Sequence, residues 1–285
     1  MAARPRTLPA AIAPVVVGTS LAGSEGTFRP LAFASALIAS VFIQIGTNLS
    51  NDYSDARRGA DTEDRLGPVR VTAGGLMPPA TVLAGTYTAF AIAVAAGAYL
   101  AALAGWELLA VGTASILAGV LYTGGPRPYG YEGLGEPFVF LFFGVVAVVG
   151  SYFVQTETVR WEAFALSVPV GLLATAILTV NNIRDVDSDR RAGKRTLVVR
   201  IGRDRARRLY AAMVAAAYVV PVAVTLAGGL SRWLLLSLAS APLALPLLRT
   251  VFARVDGPSL TGALAGTGAL LAAFSVLLAA GTLLS

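Results

Sequence analysis

Long stretches without a single charge recur along the whole chain, and they constrain its fold more than any other feature. "LAFASALIASVFIQIGT", residues 31–47, is the plainest of them. A helix needs about 20 apolar residues to cross the hydrocarbon core of a bilayer. Nine segments of that kind can be placed, near 8–24, 31–50, 81–104, 106–124, 137–155, 163–182, 209–228, 233–249 and 260–283. Only 13% of the residues are charged, against roughly 25% in soluble domains. The expected fold class is an all-α integral membrane bundle of about nine transmembrane helices, read as one domain over 1–285. The opening "MAARPRTLPAAIAPVVVG" has no persuasive small-residue cleavage site, so its apolar run is expected to be a span and not a removable signal.

The basic residues orient the bundle. Nine crossings put the N-terminus and the loops near 51–80, 125–136, 183–208 and 250–259 on one side. All but Arg29, Arg160 and Arg232 of the 22 lysines and arginines lie there. By the positive-inside rule that face is cytoplasmic and the C-terminus is outside. Trp106, Trp161 and Trp233 begin spans entered from the other side, as interfacial anchors do. The net charge of +6 is thus topological. It gives no reason to expect nucleic acid, and nothing in the chain points to an obligate protein partner. With no cysteine and no histidine, thiol nucleophiles, imidazole bases and zinc sites of the usual kind are excluded. Chemistry has to run on carboxylates, amides, hydroxyls and guanidinium groups.

Two polar clusters follow apolar spans: "NLSNDYSDARRGADTEDRLGP" at 48–68 and "NNIRDVDSDRRAGKRTLVVRIG" at 181–202. Laid over each other, Asn48 falls on Asn182, Ser54 on Ser188, Asp55 on Asp189, Arg57 on Arg191 and Gly59 on Gly193, with Asn51 on Asp185. The pattern suggests two pseudo-repeated halves. Residues three and four apart share a helix face, so Asn48, Asn51, Asp52 and Asp55 make one polar stripe and Asn182, Asp185 and Asp189 another. A carboxylate at the edge of lipid is unfavourable unless paired or metal-bound. Two such stripes facing each other offer oxygen donors alone, which suits a hard cation: Mg2+, or Mn2+ or Ca2+. Mg2+ held by few carboxylates completes its shell with water and phosphate. Arg57, Arg58, Arg65, Arg70, Arg191, Lys194 and Arg195 lie just beyond and match the outer oxygens of a diphosphate. Glu63, Asp64 and the arginines at 203–208 read as solvated loop charges.

"NDYSD" followed by "DVDSDRRAGKRT" resembles the two aspartate-rich motifs, here 48–61 and 181–196, of the UbiA superfamily of intramembrane prenyltransferases. The stretches "ARPRTLPAAIAPVVVGT", "GADTEDRLGPVRVTAGGL" and "YTGGPRPYGYEGLGEPFVFLFFGVVAVVGSYFVQ" are similar to the branch that acts on 1,4-dihydroxy-2-naphthoate and makes demethylmenaquinone. The first motif departs from the superfamily pattern. Gly59 stands where a last aspartate is common, with Asp61 two residues on, which leaves the role of Asp61 open. The resemblance implies a bundle around a central cavity, with diphosphate and metal at the cytoplasmic mouth and the isoprenoid in an apolar tunnel. It implies two Mg2+ ions held by Asp52, Asp55, Asp185 and Asp189 with Asn48, Asn51 and Asn182. Arg65, Arg70, Lys194 and Arg195 would hold the diphosphate. Tyr122, Tyr129, Tyr131 and Tyr152 are candidates to face the allylic cation or the aromatic acceptor, and Arg4 or Arg127 to pair with the acceptor's carboxylate. The substrates implied are polyprenyl diphosphate and 1,4-dihydroxy-2-naphthoate, with CO2 and diphosphate released.

Two other classes compete. Carboxylates within a membrane also mark ion-coupled transporters, but these cluster at one interface beside arginines. A membrane phosphotransferase for CDP-alcohols would carry a single continuous aspartate signature, which is missing. Other acceptors within the superfamily stay open: homogentisate, hydroxybenzoate, a chlorin, a haem or a glycerol phosphate.

Overall fold

The computed structural model describes residues 4–60, 66–67, 69–228 and 230–285. After a short 3-10 turn at Pro5–Thr7 come α1 (Leu8–Ser24), α2 (Pro30–Arg57) and α3 (Pro79–Ala104). Each of the three has proline in its first turn, where a fixed φ and a missing N–H cost nothing. There follow α4 (Glu107–Leu121), α5 (Gly135–Thr156), α6 (Trp161–Arg191), α7 (Arg203–Leu226), α8 (Arg232–Ala253) and α9 (Gly257–Leu283). Phe140–Val146 within α5 is wound as a π-helix. No strand occurs among the described residues.

Eight of these helices are long and apolar enough to cross a membrane. The ninth expected span is shorter: α4 has 15 residues, a rise of about 22 Å, against a hydrocarbon core of about 30 Å. Trp106, Trp161 and Trp233 are exposed at the starts of α4, α6 and α8.

Helix α6 is the hub. It is buried along most of its length and packs against α1, α5, α7 and α9. Leu166, Leu173 and Val180 of α6 meet Tyr210 of α7 and Leu270 and Phe274 of α9 in the main core. On the other side α2, α3 and α4 pack together. Val15, Ala32, Ala36, Leu100 and Val154 join that group to α1 and α5. Both polar stripes end long helices. With 28 and 31 residues, α2 and α6 rise about 42 and 46 Å and carry their last turns past the hydrocarbon.

Between apolar helices in lipid there is little hydrophobic drive, so association rests on close contact through small residues. Gly18 of α1 lies so near α5 that an added Cβ would stand 2.2 Å from the Val148 carbonyl oxygen. Gly144 and Gly171 bring α5 against α6, and a Cβ on Gly144 would sit 2.7 Å from the Gly171 Cα. Gly18→Ala is therefore expected to destabilise the bundle by about 1–3 kcal/mol, seen as a lower melting temperature in detergent. Gly262→Ala, whose Cβ would meet nothing within 4 Å, should leave it unchanged or slightly raised.

Candidate active site

Asp55 sits in the last turn of α2, 1% exposed, and three donors surround it. Arg70 Nη2 donates to Oδ2 at 2.9 Å, Lys194 Nζ stands 3.5 Å from the same oxygen, and the Tyr131 hydroxyl donates to Oδ1 at 2.6 Å. Lys194 also lies 4.8 Å from the centre of the Tyr131 ring, in cation–π range. The Arg195 N–H donates to the Tyr131 carbonyl at 2.8 Å. One tyrosine thus ties the end of α2 to the loop that follows α6.

The second stripe is held differently. Asp185 is 5% exposed and receives both arms of its neighbour Arg184, Nε to Oδ1 at 2.7 Å and Nη2 to Oδ2 at 2.6 Å. Arg184 is itself buried and donates also to Asn181 Oδ1. Asn182 donates through Nδ2 to Glu136 Oε1 at 3.0 Å. On α2, Asn51 Oδ1 accepts from the Thr123 hydroxyl at 2.9 Å, while Asn48 Nδ2 and Gln44 Nε2 both reach the Thr7 hydroxyl.

Most of these side chains, though not Arg184, Glu136 or Arg195, rim one cavity of about 400 Å³. Arg4, Asn48, Asn51, Asp55, Arg70, Tyr122, Tyr131, Asn182, Asp185, Asp189 and Lys194 line it at the end where α2 and α6 finish. From there it runs between the helices past Ile43, Ile116, Phe142 and Ile177 to Leu100, Leu108 and Val154 near the opposite ends of α3, α4 and α5. Beyond the rim the lining is mostly apolar, with hydroxyls from Ser40, Thr47, Thr113, Ser115 and Ser151 among it. Aromatic rings line the transition. Tyr122 meets Tyr129 edge-on at 5.5 Å, Tyr129 stacks on Phe138 at 4.1 Å, and Phe138 lies 6.0 Å from Phe142. Burial pushes the Tyr129 phenol well above its usual range, so it stays protonated and donates to the Ala118 carbonyl at 2.8 Å.

Several expected site residues do not join this group. Asp52 is 2% exposed but absent from the cavity lining, because both its oxygens accept backbone N–H groups, from Val71 at 3.1 Å and Thr72 at 2.9 Å. Tyr152 is buried on the far side, its hydroxyl donating to Glu25 just past the end of α1. Arg127 and Arg195 are exposed and outside the lining. Arg58 points the other way and donates to the Thr123 and Gly125 carbonyls beyond α4. Arg57 leans on Tyr53. Asp61 and Arg65 lie outside the described residues.

Other partners went unanticipated: Glu136, Arg184, Thr123 and Asn181. Glu136 had a signal, a lone carboxylate at the head of the fifth apolar run. Arg184 had one too, as the first basic residue after an apolar run and the immediate neighbour of the motif aspartate, but the charges around it disguised it.

The donors around this mouth fit a hard cation, since oxygen is the only ligand atom on offer from carboxylate, amide and hydroxyl. No three carboxylates converge on one point among the described residues. A metal here would therefore take one or two aspartates and fill its shell from amides, water and phosphate, the habit of Mg2+. The cations already beside Asp55 and Asp185 mark how much charge the pair of stripes demands.

A charged mouth above a long apolar chamber inside a helical membrane bundle is the build of an enzyme for amphiphiles with an anionic head. The sequence profile of the UbiA prenyltransferase family matches residues 11–264, and the chain belongs to that family. It is similar to the 1,4-dihydroxy-2-naphthoate octaprenyltransferase of Mycobacterium tuberculosis, 44% identical over 93% of this chain and 90% of the relative. The enzyme of the same name from Escherichia coli is 40% identical over 89% of this chain and 84% of its own length. Solved structures share the fold. A UbiA homologue from Aeropyrum pernix superposes with a TM-score of 0.72 at 18% identity, over 97% of both chains. One from Archaeoglobus fulgidus bound to GPP and Mg2+ superposes at 0.64 with 16% identity, again over 97% of both.

Arg184→Leu would strand the Asp185 carboxylate in a buried position, at a cost of about 3–5 kcal/mol. The expected result is a large fall in melting temperature of the substrate-free protein. Arg184→Lys should recover only part of it, because an ammonium cannot reproduce the two-armed contact.

Proposed function

We propose that this chain transfers a polyprenyl group from polyprenyl diphosphate to 1,4-dihydroxy-2-naphthoate, releasing diphosphate and CO2 and giving demethylmenaquinone in its reduced form. The observation that supports this most is the meeting of both aspartate stripes with Arg70 and Lys194 at the head of one apolar chamber. The acceptor rests on the relatives, which carry that activity in their names at 34–44% identity over most of the chain. In this reading the whole chain works as a single domain, since each half supplies one wall of the site. The mouth faces the cytoplasm, with the N-terminus on that side and the C-terminus on the other, in keeping with the distribution of basic residues.

Asp55, Asp185 and Asp189, with the amide oxygens of Asn48, Asn51 and Asn182, would hold two Mg2+ ions. When bound, Mg2+ supplies neutralisation of the charge that grows on the leaving diphosphate. Arg70 and Lys194 exchange Asp55 for the outer phosphate oxygens, presenting fixed donors where negative charge develops. The allylic C–O bond breaks, its electron pair leaves with the diphosphate, and the electron-rich ring forms the new C–C bond. The carboxylate then departs as CO2 and its bonding electrons return to the ring. The apolar chamber keeps water from the allylic cation, which would otherwise become an alcohol. Tyr122, Tyr129 and Tyr131 offer ring faces to the cation or the acceptor, and Arg4, at the rim, a partner for the acceptor's carboxylate.

The test is transfer by detergent-purified protein from radiolabelled polyprenyl diphosphate to a panel of aromatic acceptors. Transfer to dihydroxynaphthoate with CO2 release is expected, abolished by EDTA and lowered by about 10³-fold or more in Asp185→Ala and Asp55→Ala. Transfer to a different ring alone would move the acceptor. Activity that survives EDTA would remove the metal from the mechanism.

A further inference from the structure

We propose that Asp52 is a positioning residue that docks the segment 69–77 onto α2 and so aims Arg70 into the mouth, and that it holds no metal. The proposal rests on the reading of Arg70 as a diphosphate ligand. Asp52 and Asp55 stand less than one turn apart on α2 yet have unlike surroundings. Asp55 faces the cavity, whereas Asp52 has both oxygens on successive backbone amides, Val71 and Thr72, at 3.1 and 2.9 Å. Two adjacent N–H groups turned to one carboxylate form a small anion-binding nest, and the ionised acceptor makes these bonds stronger than neutral ones.

The residue before that nest is Arg70, whose Nη2 lies 2.9 Å from Asp55 and whose side chain is 9% exposed. The segment is stiff enough to carry it. Gly74 N–H donates to the Arg70 carbonyl at 2.9 Å, Gly75 to Thr72 at 3.1 Å, and Leu76 and Met77 both to Val71. The Val71 side chain is buried beneath it. Gly74 has no room for a side chain: a Cβ there would sit 2.7 Å from the Arg70 carbonyl oxygen and 2.5 Å from Val69 Cγ1. Segment 69–77 is thus a folded strap with one anchoring carboxylate, and where the anchor holds it, the side chain of the adjoining Arg70 is directed onto Asp55. Asp52, with each oxygen bonded to backbone and its side chain outside the cavity lining, is turned to the strap and not to the space where a cation would sit.

Full-length protein in detergent would be compared as wild type, Asp52→Ala, Gly74→Val, Asp55→Ala and Asp185→Ala, each first checked for a wild-type-like elution profile and melt. Three readouts apply: binding of Mn2+ alone by electron paramagnetic resonance, KM and kcat for polyprenyl diphosphate, and trypsin cleavage between Arg70 and Val71 found by sequencing the new terminus. Asp52→Ala and Gly74→Val are expected to raise KM about 10- to 100-fold, to expose the Arg70–Val71 bond to trypsin, and to bind Mn2+ as wild type does. Asp55→Ala and Asp185→Ala should lose Mn2+ binding. Loss of Mn2+ in Asp52→Ala with the Arg70–Val71 bond still protected would make Asp52 a ligand and overturn the proposal. An unchanged KM in both Asp52→Ala and Gly74→Val would overturn it equally. If Asp55→Ala and Asp185→Ala kept Mn2+, the metal reading would fall while protection and KM still judged the strap. Should Asp52→Ala not be recovered folded, Gly74→Val, which touches no carboxylate, carries the test.

Discussion

Everything at the mouth follows from one constraint: a carboxylate at the edge of lipid must be met by a partner of opposite polarity. The chain meets it in three ways. Asp55 has two cations and a phenol, Asp185 has the fork of its own neighbour, and Asp52 has backbone amides. Each solution also does structural work. The partners of Asp55 come from the segment after α2, from the turn after α4 and from the loop after α6, so satisfying one charge draws three connections together. The desolvation that makes a buried aspartate unfavourable is therefore what assembles a preorganised rim of paired charges above an apolar hole. An anionic head group arriving there finds its donors in place and need only displace one carboxylate from them.

Much of this was legible in the sequence. The apolar runs become helices in the expected order, because length and hydropathy are local properties. The ends of α2 and α6 were harder. Apolarity stops near residues 50 and 182, but the helices continue to Arg57 and Arg191. The three- and four-residue spacing of Asn and Asp had already implied that continuation. Asn48, Asn51, Asp55, Asn182, Asp185 and Asp189, which that spacing puts on two stripes, line one cavity.

What the spacing could not decide was which member of an adjacent pair looks inward. Asn51 and Asp52 differ by about 100° around the helix, and the amides that claim Asp52 come from an irregular segment with no periodicity to reveal it. Tyr152 was assigned by residue type, and type says nothing of which end of the bundle a side chain meets; Arg127 and Arg195 stand at the right end but are exposed outside the cavity. Glu136 and Arg184 escaped for the opposite reason. Both look like ordinary boundary charges until the fold shows that each is buried against a motif residue.

The brevity of α4 has a consequence for the solvent as much as for the protein. Its flank is several ångströms shorter than the acyl layer beside it, and it forms one wall of the chamber. Such hydrophobic mismatch is relieved by local thinning, by tilt or by snorkelling of flanking residues. Where thinning relieves it, phospholipid head groups come nearer the chamber at α4, and membrane thickness becomes a variable coupled to the chamber wall.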